Sequence, residues 1–204
     1  MRKPWRWLLL GGIVALGAGF VVTGVSEVPT WLALGPCLKD PTSPVSYRPR
    51  VSPLATVDAR AGGVAVRLCY GRPAMRGRVV FGDLVPYDSL WRMGANEPTR
   101  LYTAGAISLA GLVLPAGRYA LYARPHPDRW EVFATRSILH WGNDISPAVR
   151  AREVGSITVP VERLAQPVET LTVRVDTSGA PVVLRLDWET TGISLPLLPA
   201  PAAP

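Results

Sequence analysis

From position 55 onward the chain alternates apolar and polar residues in short runs, each closed by a turn. In Val64-Ala-Val-Arg-Leu-Cys-Tyr70, Val64, Val66, Leu68 and Tyr70 fall on one face of an extended strand, and Arg67 and Cys69 fall on the other. The same reading predicts strands over 55–60, 63–70, 99–104, 106–109, 112–114, 118–124, 130–135, 157–161, 171–176 and 182–188. Ala61-Gly62-Gly63, Gly105, Gly111 and Pro115-Ala-Gly117 supply the breaks. In the strand at 171–176, Leu171, Val173 and Val175 should face in while Thr172, Arg174 and Asp176 face out. Many short strands separated by turns define an all-β fold, an antiparallel β-sandwich of jelly-roll-like or barrel-like form. One helical turn from a cap at Asp88 through Trp91 is the only helix expected outside the N-terminal region. No internal repeat at a fixed period is present.

The alternation fails between Cys69 and Thr99. Gly71, Pro73, Gly77, Gly82, Pro86, Gly94 and Pro98 interrupt this stretch too often for a long helix or a central strand. Irregular segments beyond about 12–15 residues are uncommon in compact domains and are usually functional loops or disorder. Disorder fits poorly, because Val79, Val80, Phe81, Leu84, Val85, Tyr87, Leu90 and Trp91 carry too much apolar surface to stay solvated.

This block also concentrates the chemistry. Arg72, Arg76, Arg78, Tyr87, Trp91 and Arg92 are interspersed with Asp83, Asn96 and Glu97. Guanidinium groups give planar, bidentate recognition of carboxylate or phosphate, and aromatic faces suit a sugar or apolar ring. These nine residues are the candidate ligand-binding set, with a pocket expected over Arg72, Arg78, Trp91 and Arg92. The competing reading is structural: Arg78 or Arg92 paired with Asp83 or Glu97 would hold a long loop to the sheet. A hydrolase would need two convergent carboxylates among Asp83, Glu97 and Asp144, or one of them with His140. His126, between two prolines, reads as an exposed turn residue. With two histidines and no ligand spacing, neither a metal nor another cofactor is expected, and the nucleophile-elbow, phosphate-loop and dinucleotide motifs are missing. The sequence thus leans away from an enzyme without deciding the matter.

Several of these runs resemble the signature of the bacterial domain-of-unknown-function family 2911. The matching residues are Tyr70-Gly-Arg-Pro, Gly77-Arg78, Phe81-Gly-Asp-Leu-Val-Pro-Tyr87 and Trp91-Arg-Met-Gly-Ala-Asn-Glu97. Ser52-Pro-Leu-Ala55, Leu114-Pro-Ala-Gly-Arg-Tyr119, Trp141-Gly142 and Trp188 extend the likeness over roughly residues 51–195. The resemblance implies no activity, substrate or catalytic residue.

Ahead of the domain, residues 7–25 contain no charge and are about as long as a bilayer-spanning helix requires. Arg2, Lys3 and Arg6 precede them, so a signal anchor should leave residues 1–6 in the cytoplasm and the domain outside, periplasmic or at the cell surface. The rival is secretion after signal cleavage, for which Ala33-Leu-Gly35 is the nearest site, with Pro36 directly behind it. The expected organisation is therefore anchor 7–25, a Pro-rich stalk or surface meander 26–53, β-domain 54–195 and a disordered Pro/Ala tail 196–204.

Of the net charge of +7, three units come from Arg2, Lys3 and Arg6, leaving +4 spread along the strands. That is no nucleic-acid footprint, which needs clustered basic residues. The partners expected are the membrane and either a small anionic or glycan ligand or another envelope protein. In an oxidising compartment, Cys37 and Cys69 either bridge stalk to domain or remain two thiols.

Overall fold

The computed structural model describes residues 34–39 and 48–200. The expected anchor, most of the stalk and residues 201–204 lie outside them. Among the described residues, ten antiparallel strands form two sheets. Along the chain they are β1 (Leu54–Ala61), β2 (Val64–Gly71), β3 (Thr99–Thr103), β4 (Ile107–Leu109) and β5 (Leu112–Leu114), followed by β6 (Gly117–Pro125), β7 (Arg129–Thr135), β8 (Glu153–Pro160), β9 (Glu162–Asp176) and β10 (Val182–Pro199). One sheet has the order β1-β2-β3-β6-β7-β8, the other β5-β4-β10-β9. Both sheets are open, so the barrel-like alternative does not hold.

The alternation seen in the sequence builds the core between the sheets. Val66, Leu68 and Tyr70 of β2 and Leu121 and Ala123 of β6 meet Leu171 and Val173 of β9 and Leu184, Leu186 and Trp188 of β10. The other face of the six-stranded sheet is also covered. Leu34 packs there with Ala65, Cys69 and Tyr102, while Val149, on the single turn α1 (Pro147–Arg150), packs on Tyr122 and Phe133. This double covering explains why every residue of β3 is buried although its sequence alternates.

The covering segment is fixed covalently and by charge. Cys37 and Cys69 form a disulfide with Cα atoms 5.5 Å apart, Arg67 donates to the Gly35 carbonyl while paired with Asp58 at 2.7 Å, and Arg100 Nη1 donates to the Leu38 carbonyl at 3.0 Å. The described part of the stalk is thus a meander over the sheet. Replacing Cys69 by Ser should lower unfolding free energy by about 2–4 kcal/mol, because the crosslink restricts the unfolded chain. Urea unfolding of the unreduced chain checks this; an unchanged midpoint would contradict it.

Three expectations need correction. The helical turn at 88–91 does not form. Asp88 adopts a left-handed φ of 64°, its N–H donates to the Pro125 carbonyl, and Trp91 is drawn into a β-bridge with Ala123. Nor is His126 an open turn residue, since its Nδ1 lies 2.5 Å from Asp88 and the side chain is 16% exposed. Finally, the domain does not stop at 195. β10 continues to Pro199, pairing Leu197 with Leu109, and Leu197 is buried. The Pro-rich composition is compatible because Pro196 falls after the last β9 partner, Gly192, and before the first β4 partner, Leu197, so no ladder needs its N–H.

Candidate functional site

Residues 72–98 form no strand or helix of their own and lie against the sandwich as a folded plug. Its apolar half joins the core: Val80, Phe81, Val85, Trp91 and Met93 are buried. Phe81 and Trp91 meet Trp130 of β7 and Trp188 of β10, with Trp91 stacked on Trp188 at 5.9 Å and edge-on to Trp130 at 5.6 Å. Backbone contacts tie the plug to both sheets. Met75 N–H donates to the Glu169 carbonyl, and Trp91 and Ala123 exchange hydrogen bonds of 2.8 Å. Glu189, on the β10 bulge, accepts from the N–H groups of Val80 and Phe81 at 3.3 Å.

Close backbone approach sets the plug's position. A Cβ on Gly71 would lie 1.9 Å from the Ala95 carbonyl oxygen, and one on Gly94 would lie 3.0 Å from the Gly71 carbonyl oxygen. Gly71→Ala therefore cannot be absorbed by a side-chain shift. It should cost at least the roughly 1–3 kcal/mol typical of overpacking, read as a lower thermal midpoint, whereas an unchanged midpoint would refute this contact.

The polar half of the plug opens onto a pocket of about 370 Å³. Trp91 and Trp188 contribute its apolar lining, Arg76, Arg78 and Arg92 its charge, and Ser52 and Asn143 its neutral polar groups. Among the described residues no carboxylate or histidine lines it. Arg78 reaches back to its own loop, Nε to the Met75 carbonyl at 2.8 Å and Nη2 to the Ala74 carbonyl at 2.9 Å. Arg76 Nη2 lies 3.4 Å from the Val51 carbonyl, and its backbone N–H donates to Glu169 at 2.9 Å. Neither arginine forms an ion pair among the described residues.

Arg92 is the unusual member. Its neighbours Trp91 and Met93 are buried, and Met93 takes a left-handed φ of 55° as the chain turns between them. The Arg92 backbone N–H donates to Asn143 Oδ1 at 3.2 Å, and the guanidinium runs beside Gly142, where a Cβ would stand 3.2 Å from Nη1. Arg92 Nε is shielded from solvent yet has no hydrogen-bond acceptor among the described residues. Burial pushes the Arg92 pKa below its ordinary value, and the nearby Glu97 charge offsets this only in part. Glu97 is already engaged: it is 1% exposed and takes a bidentate grip from Arg50, one arm being 2.6 Å from Nη1.

The nine candidates thus separate. Arg76, Arg78, Trp91 and Arg92 converge on the pocket. Arg72 instead binds β9 through the Leu171 carbonyl and Thr172. Asn96 supports the rim, its side chain donating to the Ser52 carbonyl at 3.1 Å and its carbonyl accepting from Gly142. Asp83 is exposed, and Tyr87, 37% exposed, covers Gly82 away from the pocket. The pairings expected of Arg78 or Arg92 with Asp83 or Glu97 do not form, because Arg50 occupies Glu97 and Arg78 turns to loop carbonyls. Sequence reasoning missed Arg50, Ser52, Asn143 and Glu189, all remote in the chain. The run His140-Trp-Gly-Asn-Asp144 does reach the site, through Gly142 and Asn143, whereas His140 Nδ1 lies 3.0 Å from the Ser137 carbonyl. Among the described residues no three His, Cys, Asp or Glu side chains gather as metal ligands.

The architecture defines an antiparallel all-β domain with an arginine-lined pocket beside a tryptophan cluster. Residues 52–197 match the family described as "Protein of unknown function (DUF2911)", and the chain belongs to that family. No curated protein and no solved structure matches the chain.

Proposed function

We propose that this protein is a membrane-anchored, extracytoplasmic binding module whose β-sandwich domain takes an anionic ligand in the pocket of the 72–98 plug. The observation that carries the reading is the state of Arg92: a guanidinium whose charge burial disfavours, whose Nε has no acceptor among the described residues, on a side chain that lines a cavity to which no described carboxylate contributes. Burying a cation without a partner is costly, and an incoming anion would recover that cost as charge-assisted hydrogen bonds. Arg76 and Arg78 add positive potential at the mouth, and Trp91 and Trp188 offer an apolar wall for the ligand's body. Carboxylate and phosphate groups fit this arrangement, whether carried by a small metabolite or an envelope glycan.

A structural module is the second reading, favoured by the apolar half of the plug and the buried Glu97–Arg50 pair. Hydrolysis has less support, since Asp83, Glu97, Asp144 and His140 all lie off the pocket lining.

A thermal-shift screen of the full chain in detergent micelles against inorganic phosphate, small carboxylates and acidic glycan fragments tests the binding reading. An anion at 100 times its dissociation constant adds about 2.7 kcal/mol, which raises the midpoint of a domain this size by roughly 5–10 °C. A flat response to every anion would leave the structural module as the better account.

A further inference from the structure

A second cationic surface lies on the opposite side of the six-stranded sheet from the core, beside the disulfide. Lys39, Arg100 and Arg118 surround a cavity of about 190 Å³ whose apolar wall includes Leu38, Ile138 and Leu139. Leu38 and Leu139 are 60% and 62% exposed, among the most exposed large apolar side chains described. None of the three cations forms an ion pair among the described residues. Among the described residues Arg100, 5% exposed, bonds the Leu38 carbonyl and finds no acceptor for its Nε. Arg118 lies over the Tyr102 ring at 5.6 Å. Projecting leucines beside uncompensated cations suit a bilayer surface, where apolar groups enter the interface and basic groups meet phosphate.

Chain length points to the same occupant. Leu34, at the edge of this surface, is nine residues beyond Val25, the end of the uncharged run. Nine extended residues reach about 30 Å at most, and the Cys37–Cys69 bond holds the segment against β2. We infer that this face docks the domain on an anionic phospholipid bilayer, with Leu38 and Leu139 entering the headgroup region, the exposed Lys39 and Arg118 contacting lipid phosphates, and the buried Arg100 adding positive potential beneath them. The inference rests on the anchored reading of residues 7–25. It fixes the domain's orientation, whereas an anchor alone would leave the domain to tumble on its stalk.

The test uses the full chain reconstituted in vesicles of phosphatidylcholine alone or with phosphatidylglycerol, carrying an environment-sensitive fluorophore on Leu139→Cys or, as a control, Asp128→Cys. Arg118 sits near the start of β6 and Asp128 in the turn beyond its other end, and the seven strand steps from 118 to 125 alone span about 23 Å. Docking predicts blue-shifted emission and quenching by headgroup-labelled lipid at position 139 but not at 128, and only when phosphatidylglycerol is present. Adding Lys39→Ser and Arg118→Ser should weaken the docked population by about fivefold per cation removed, the equivalent of about 1 kcal/mol each. Equal signals at both positions, or no dependence on phosphatidylglycerol, would overturn the inference. Alkali extraction of the same vesicles tests the anchor separately: a chain that washes off refutes the anchored reading and this one with it, whereas a retained chain with an unshifted probe refutes docking alone.

Discussion

Glu97→Ala should destabilise the domain by about 3–5 kcal/mol, the usual cost of removing one partner from a buried ion pair. Glu97 is 1% exposed and grips Arg50, which is itself 9% exposed, so the substitution leaves a desolvated guanidinium beside a second one at Arg92. For a domain whose whole stability is of the order of 5–15 kcal/mol, such a loss is large. Chemical unfolding of the full chain in micelles gives the number. The double substitution Arg50→Met/Glu97→Leu should recover much of the loss, since apolar groups of similar size often replace a buried pair at little cost. A change below 1 kcal/mol for Glu97→Ala would mean that the plug is not held by this pair.

Arg92→Ala should have the opposite profile. No group of the described residues accepts from Arg92 Nε, and burial already disfavours its charge, so removing the guanidinium takes away little native bonding. Stability should change by less than about 1 kcal/mol, the residual effect being lost packing of the side-chain stem. Ligand affinity, by contrast, should fall by about 30-fold to several thousandfold, the range that follows from deleting one side of a desolvated charge pair, about 2–5 kcal/mol. Calorimetric titration of any anion found by screening measures both sides of the comparison. Early melting of Arg92→Ala would identify the residue as a support for the plug and count against the binding reading.

The contrast between these two residues shows where the sequence was legible. Strand alternation read from single positions placed Val66, Leu68 and Tyr70 inward and set Cys69 on the outer face, because a two-residue period is local. The irregular character of 72–98 was legible for the same reason: its glycines and prolines act on their own backbone. What lay beyond the sequence was partner choice. Arg50 and Glu97 are 47 positions apart, and Arg92 and Asn143 are 51 apart, so only the folded chain assigns those contacts. β9 and β10 run beyond the expected 171–176 and 182–188, with Pro167 tolerated on an edge strand and Pro196 between two ladders. Burial of β3 on both faces was likewise hidden, since its outer cover comes from residues 34–39, far ahead in the chain.

The central claim is that Arg92, which lines the pocket, takes up an anion there. The most direct measurement is the arginine Nε–H nitrogen–proton spectrum of the labelled chain, with the Arg92 resonance assigned by its loss in Arg92→Lys. Phosphate, acetate and benzoate would be added in turn. The account predicts that at least one of these anions moves the Arg92 signal saturably, while Arg67 and Arg72, bound to protein acceptors, stay in place. An Arg92 signal that ignores all three, with only the exposed Arg76 and Arg78 drifting without saturation, would contradict it.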